Sequence, residues 1–265
     1  MFRFCVLASG SSGNCAFVSD GRTRLLVDAG LSAKETFARL ESIGENPAAI
    51  DAVLVTHEHS DHVCGLGPVI RKLKTLKGGT PVPLYLTKLT APLIDWNGGD
   101  APEGLVEFQA GSRFRIGDLE VASFTIPHDA ADPVGFTFTG SGGKAGIVTD
   151  LGYVPDSIRY HLEDVDVLLL ESNHDLDMLK VGPYPWSVKQ RVMSRKGHLS
   201  NDVAGDFLRD NLSSRATAVV LGHLSEHNNH PEIVRLVAAQ ALHDRALFTQ
   251  LVVAEPGVRT QVFEW

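Results

Sequence analysis

The stretch Thr56-His57-Glu58-His59-Ser60-Asp61-His62 holds three histidines and one aspartate within six residues. His59, Asp61 and His62 stand two, four and five positions after His57. Imidazole and carboxylate are the groups that bind borderline divalent metals. Packed together without a metal, they would leave polar groups unsatisfied. Three more such residues, His128, Asp150 and His223, each lie just past the end of an apolar run. Seven ligands exceed what one tetrahedral ion takes and suit two ions. Two ions lower the pKa of a shared water, so that a metal-bridging hydroxide can attack; they also polarise the substrate oxygen and take up charge on the leaving oxygen. Asp61 can bind one ion and orient the hydroxide. A phosphodiester suits this chemistry, because its transition state carries several charged oxygens. Five histidines and two aspartates suit zinc, manganese or iron.

Four other stretches bear on substrate. Ser9-Gly10-Ser11-Ser12-Gly13-Asn14-Cys15 is small, polar and glycine-rich. Its backbone amides with Ser9, Ser11, Ser12 and Asn14 could bind a phosphate, although a plain tight turn is the more frequent use of such a loop. Glu171-Ser172-Asn173-His174-Asp175 follows the apolar run Val165–Leu170. Asn173 is a candidate substrate contact there, and His174 either takes part in catalysis or braces a ligand imidazole. In Gly197-His198-Leu199-Ser200-Asn201, Gly197 stops one helix and Ser200 caps the next. His198 between them either packs in the turn or approaches the scissile phosphate, as donor to the developing charge or as general acid. The following helix N-terminus, with Ser200, favours an anion. The fourth stretch is Gly222-His223-Leu224-Ser225-Glu226-His227-Asn228-Asn229.

The order HxHxDH, then His, then Asp, then His, each at a strand end, resembles the metallo-β-lactamase fold hydrolases over essentially the whole chain. The resemblance implies one ion on His57, His59 and His128, a second on Asp61, His62 and His223, and Asp150 between them. Asp28 matches the early strand-end aspartate of that fold. A bridging aspartate with no cysteine ligand resembles the phosphodiesterase and thioesterase branches more than the lactam-hydrolysing one. With Thr149-Asp150-Leu151-Gly152, the four stretches closely resemble the WalJ/YycJ-type subfamily, bacterial DNA exonucleases that digest duplex DNA from the 5′ end. That implies a 5′-to-3′ exonuclease on double-stranded DNA, with DNA ends as partner and His198 and His174 near the phosphate. An RNA-processing nuclease, a small phosphodiesterase, a glyoxalase II-like thioesterase or lactonase, and a non-catalytic metal-stabilised scaffold are the alternatives. Two positions depart from the pattern: Cys64, read as small core filler where an aliphatic residue is expected, and His227, where a polar residue other than histidine is expected.

The elements that must position these residues follow from hydrophobic pattern. Phe2–Leu7, Cys15–Val18, Arg24–Val27 and residues 51–55 read as strands. Ser32 with Glu35 makes a capping box for a helix with Phe37, Leu40 and Ile43 on its apolar face, stopped at Gly44. Leu66–Leu76 is a second helix, and Pro81–Leu86 a strand. Residues 97–104 are a Gly/Pro turn region. Arg113–Ile116 and Leu119–Ile126 form a hairpin about Gly117-Asp118, and Val134–Thr139 and Lys144–Thr149 form another. Strands at Val165–Leu170, Ala216–Leu221, Leu247–Val253 and Thr260–Glu264 alternate with helices at Trp186–Lys196, Asn201–Leu212 and Glu232–His243. This order predicts an α/β fold, a four-layer αββα sandwich of two mixed sheets with helices outside, as one domain over residues 1–265.

The chain has 265 residues, 43% hydrophobic and 21% charged, which are globular values. A net charge of −8 argues against a general polyanion binder, so a nucleic-acid substrate requires a local basic approach. Lys189, Arg191, Arg195 and Lys196 are candidates. Arg71, Lys72, Lys74 and Lys77 are others, although a solvated helix end that complements the helix dipole explains those better. Three cysteines without paired spacing, no signal-peptide pattern and no run of membrane-spanning length point to a cytoplasmic protein.

Overall fold

Successive residues of the central strands face two different hydrophobic layers. Phe4 and Val6 point into one buried cluster while Cys5 and Leu7 point into another. Val167 and Leu169 enter the first cluster while Leu168 and Leu170 enter a third. Side chains alternate across a strand, so a strand covered on both faces is apolar without interruption. The unbroken runs in the sequence are therefore strands of two sheets that are covered inside and out.

The computed structural model describes residues 1–96 and 100–265. In chain order the strands and α-helices are β1 (Arg3–Ala8), β2 (Cys15–Ser19), β3 (Arg24–Val27), α1 (Ala33–Ser42), β4 (Ala52–Leu54), α2 (Ser60–Val63), α3 (Leu66–Leu76), β5 (Leu84–Thr87), β6 (Leu105–Phe108), β7 (Arg113–Ile116), β8 (Leu119–Thr125), β9 (Val134–Gly140), β10 (Gly143–Val148), α4 (Asp156–Leu162), β11 (Val167–Glu171), α5 (Leu176–Val181), α6 (Trp186–Val192), α7 (Asn201–Asp210), β12 (Ala218–Gly222), α8 (Pro231–Asp244), β13 (Gln250–Val253) and β14 (Phe263–Glu264). They form two seven-stranded sheets, ordered β14-β1-β2-β3-β4-β5-β6 and β13-β12-β11-β10-β9-β8-β7. The layer between the sheets contains Phe2, Phe4, Phe136 and Phe138. Leu40, Val69 and Leu73 of α1 and α3 cover the outside of the first sheet. Ile158, Phe207, Leu208 and Ala238 of α4, α7 and α8 cover the outside of the second. This is the expected four-layer α/β sandwich.

Strands β3 to β6 run parallel, as do β10 to β13. Their C-terminal ends therefore lie along common edges, where loops can converge. Several element ends differ from the sequence expectation. Helix α6 stops at Val192 rather than Lys196, because the chain folds back and the His198 amide donates to Val192 O at 2.9 Å. Strand β5 begins at Leu84 rather than Pro81, since Pro81 and Pro83 have no N–H to give a ladder. The turn between β9 and β10 is only two residues, with Gly140 paired to Gly143. Strand β6 and helices α4 and α5 were not expected. The expected turn region 97–104 includes residues 97–99, which lie outside the described residues. At α1, Ser32 Oγ accepts from the Glu35 amide at 3.2 Å, but the Glu35 carboxylate accepts from Arg39 Nε at 2.8 Å instead of completing the box.

Candidate metal centre

Each candidate ligand leaves a rigid strand end. His57 follows β4, with Asp61 and His62 on the short helix α2. His128 follows β8, Asp150 follows β10 and His223 follows β12. Asp28, Asp150 and His223 hold φ near +60° (62°, 61° and 57°), a region that side chains other than glycine rarely adopt. Hydrogen bonds hold two of these turns: the Asp28 amide donates to Leu54 O at 2.8 Å, and the His223 amide donates to Ser9 Oγ at 2.7 Å. Gly30 lets α2 approach, since a Cβ there would lie 1.7 Å from Asp61 O.

The ligand atoms converge in overlapping groups, His57 with His59 and His128, Asp61 with His62 and His223, and His57 with His62 and Asp150, all within 4.8 Å in each group. Distances inside them fit a shared ion better than shared protons. His128 Nε2 lies 3.2 Å from His59 Nδ1, and His223 Nε2 lies 3.2 Å from Asp61 Oδ2 and 3.3 Å from Asp150 Oδ1. The edge of a tetrahedron with metal–nitrogen bonds of the usual length is about 3.3 Å. His57 Nε2 and Asp150 Oδ2 are buried with no hydrogen-bond partner of acceptable geometry among the described residues, which is the state of a ligand atom awaiting a cation.

The opposite nitrogen of four imidazoles is already engaged. His57 Nδ1 lies 3.0 Å from Thr56 Oγ1, and His62 Nδ1 lies 2.8 Å from Asp28 Oδ2. His128 Nδ1 donates to Gly197 O at 3.2 Å, and His223 Nδ1 donates to Glu171 Oε1 at 2.8 Å. Such bonds put the proton on Nδ1 and turn the Nε2 lone pair inward. Without ions the group separates by charge. Burial keeps His57 and His128 below the usual histidine pKa. Burial also opposes charge on His62 and His223, but Asp150 with Asp28 holds His62 well above it, and Asp150, Asp61 and Glu171 hold His223 at about 10. Burial notwithstanding, His223 and His62 hold the Asp61 carboxyl far below the ordinary carboxylate range. A divalent cation would take the place of those imidazolium protons.

Glu171, which sequence reasoning assigned no role, is fully buried at the end of β11. Its Oε1 accepts from Nδ1 of both His198 and His223 at 2.8 Å, and its Oε2 accepts from the amides of Leu151 at 3.0 Å and Leu199 at 2.9 Å. Four donors saturate the carboxylate, so it supports the imidazoles rather than binding an ion. The only sequence signal was an acidic residue closing an apolar strand. Burial opposes the charge on His198 too, but Glu171 raises its pKa above the ordinary value.

The other expected residues separate into two sets. Ser11, Asn173 and His198 line a cleft of about 500 Å³ over the ligands, with Ser60, Tyr184, Val188, Arg191 and Ser225. Ser60 also faces the cleft. Glu58 braces the loop, accepting from the Ala131 amide at 2.8 Å. Ser9, Asn14 and Ser200 are occupied with protein. Ser9 holds the His223 amide, Asn14 Nδ2 donates to Asp61 Oδ2 at 3.0 Å, and Ser200 Oγ caps α7 by accepting from the Val203 amide. Ser12 is exposed and outside the cleft lining. His174 is 1% exposed, lies outside the lining, and is kept neutral by burial, which lowers its pKa to about 4. Cys64 is not core filler: it is exposed, and its thiol donates to Gly30 O at 2.9 Å. Lys189 is not available to a ligand, because it is buried with Nζ donating to Lys180 O at 2.7 Å. Arg191 reaches the cleft and pairs with Asp129 at 3.1 Å, and Arg195 lies 4.1 Å above the Tyr153 ring.

Known proteins resemble this chain in sequence and in fold. The profile of the β-lactamase superfamily domain matches residues 23–224. The protein named exodeoxyribonuclease YycJ from Bacillus anthracis is 38% identical over 243 residues, 91% of this chain and 89% of that protein. Exodeoxyribonuclease WalJ from Streptococcus pneumoniae is 36% identical over 249 residues, 91% of this chain and 88% of that protein. Among solved structures, the metallo-β-lactamase fold protein YhfI from Bacillus subtilis superposes with a TM-score of 0.74 over 98% of both chains, at 20% identity.

Proposed function

The chain belongs to the metallo-β-lactamase superfamily, and on that premise we propose that it is a metal-dependent exonuclease that hydrolyses the phosphodiester bonds of double-stranded DNA from the 5′ end. The observation that carries this reading is the pairing of two ligand groups beside Asp150 with the His198 imidazole, which faces the same cleft and clusters with Asp150, His223 and the saturated Glu171 carboxylate. His57, His59 and His128 would hold one divalent ion, and Asp61, His62 and His223 the other, with Asp150 between. Zinc, manganese and iron all suit this donor set. When bound there, such ions would supply acidification of a water and screening of charge on the phosphate.

The protein's own groups do the rest. Asp61 Oδ2 is engaged by Asn14, His62 and His223. That leaves Oδ1 to accept a proton of the attacking water and aim its lone pair. His198 has Nδ1 tied to Glu171, so Nε2 is the nitrogen free to face substrate. Raised in pKa by that carboxylate, the imidazolium delivers its proton to the leaving oxygen. Asn173 and Ser225 line the same cleft and offer hydrogen bonds to phosphate oxygens. Arg191, the basic residue in the cleft lining, is the group placed to meet the backbone.

The net charge of −8 makes a wide phosphate grip unfavourable, so binding should be salt-sensitive and confined to DNA ends. No helix among the described residues is long and apolar enough to cross a membrane, and a cytoplasmic location fits a DNA substrate. The test offers 5′-labelled duplex DNA, single-stranded DNA and RNA with Mn²⁺ or Zn²⁺, beside Asp61→Ala. Stepwise release of nucleotides from duplex ends, absent in the variant, is expected. No release from any nucleic acid overturns the proposal, and preferential cleavage of RNA replaces it with an RNA-processing nuclease.

A further inference from the structure

The residues lining the cleft above the ligands are of two unlike kinds. Ser11, Ser60, Asn173 and Ser225 are its small polar contributors. A single segment contributes Tyr184, Val188, Arg191 and Val192. On α6, positions 188, 191 and 192 share one face by helical spacing, and Tyr184 precedes them by one turn. Lys189, buried on another side of the helix, fastens the segment through its bond to Lys180 O. Val188 remains 37% exposed. The Tyr184 ring meets His227 edge-on, at 6.0 Å between centroids and 86° between planes, which fixes the plane of the phenol.

Hydrolysis of a phosphodiester at paired ions uses charge and proton donors. An aromatic and aliphatic segment contributes nothing to that step, yet it lines the same cleft. A flat apolar surface at this place suits a flat apolar group attached to the phosphate. We propose that Tyr184, backed by Val188, is a stacking platform for the base of a terminal nucleotide, and that Arg191 on the same face holds that nucleotide's phosphate. The inference rests on the nuclease function argued above and adds to it what in the substrate is grasped. Every nucleobase has a π-face, so such a platform tolerates any sequence, as an exonuclease must. Arg191 is suited to its part because Asp129 holds its Nε while the side chain is still 65% exposed.

The test compares a normal duplex end with ends carrying an abasic residue at the first or second nucleotide. For the wild-type metal-loaded protein, removal of the stacked base should lower kcat/KM by about tenfold or more. Tyr184→Ala should lower kcat/KM on the normal end by a similar factor and become indifferent to the missing base. Tyr184→Phe should restore the discrimination. Metal content and melting midpoint show whether each variant is folded, and Tyr184→Leu replaces the alanine variant should that one fail. Wild-type protein that digests both ends alike overturns the platform alone, as does a Tyr184→Ala variant that still discriminates. Wild-type protein that digests neither overturns the nuclease function and the platform with it.

Discussion

Glu171 Oε1 accepts a hydrogen bond from His198 Nδ1 at 2.8 Å, at the C-terminal end of β11. The same oxygen accepts from His223 Nδ1. One buried carboxylate thus orients a ligand imidazole and a cleft imidazole together. It thereby links the candidate metal centre to the imidazole proposed as proton donor.

Removing that charge should affect both functions. In Glu171→Gln the oxygen still accepts, but His198 loses the carboxylate that raises its pKa. The alkaline limb of the kcat/KM profile should move to lower pH, and metal affinity should fall on the order of 10- to 100-fold. A pH–rate profile beside a chelator titration checks both. An unshifted alkaline limb would remove Glu171 from the mechanism.

His198→Ala should retain its ions and lose about 10²- to 10⁴-fold in kcat on DNA, the range for general acid–base catalysis. The loss should shrink sharply for a p-nitrophenyl phosphodiester, whose leaving oxygen needs no proton. Equal losses on both substrates would mean that His198 positions rather than protonates.

The candidate ligands stood out because apolar runs lead to His57, His128, Asp150 and His223, and a run apolar on both faces is a strand between two covered layers. The sheet order that joins those strand ends was not legible from spacing, because which strands pair is settled by contacts far apart in the chain. Glu171 was hidden for the same reason. An acidic residue closing a strand is ordinary until β11 lies between β10 and β12, which brings it under His198 and His223. Lys189 and Arg191 looked alike in sequence and differ only in which side of α6 is buried. Cys64 was misjudged because free cysteine is usually interior, whereas α2 turns it outward.

Asp28 should matter as much as a ligand, although it points away from the ions. It accepts from the Thr56 amide at 2.8 Å, from Thr56 Oγ1 and from His62 Nδ1, which aims His57 and His62 together. Asp28→Ala should weaken metal binding about 10- to 100-fold and lower activity accordingly. Excess metal should restore part of the rate. Full activity at limiting metal would show that Thr56 alone suffices.

Stripping the ions should give the protein a pH dependence that the loaded form lacks. In the metal-free protein burial opposes the charge on His223, yet Asp150, Asp61 and Glu171 lift its pKa from 6.5 to about 10. A raised folded pKa gives stabilisation that is complete below the unfolded value and is lost as pH climbs through the folded one. Glu171 is the reverse case. Burial pushes its carboxyl up, but His198 and His223 bring it from 4.5 down to about 2, so its contribution is present above 4.5 and lost toward 2. The two windows place the best stability of the chelated protein between about pH 5 and 6.5, with a melting midpoint that falls steadily by pH 9. If His223 holds zinc or manganese as proposed, it would be neutral with Nε2 given to the ion instead of a proton, so the midpoint should hold over that alkaline range. Thermal melts with and without chelator at several pH values separate the cases. A chelated midpoint that stays level from pH 7 to about pH 9 would mean that His223 is not held as an imidazolium by its three carboxylates.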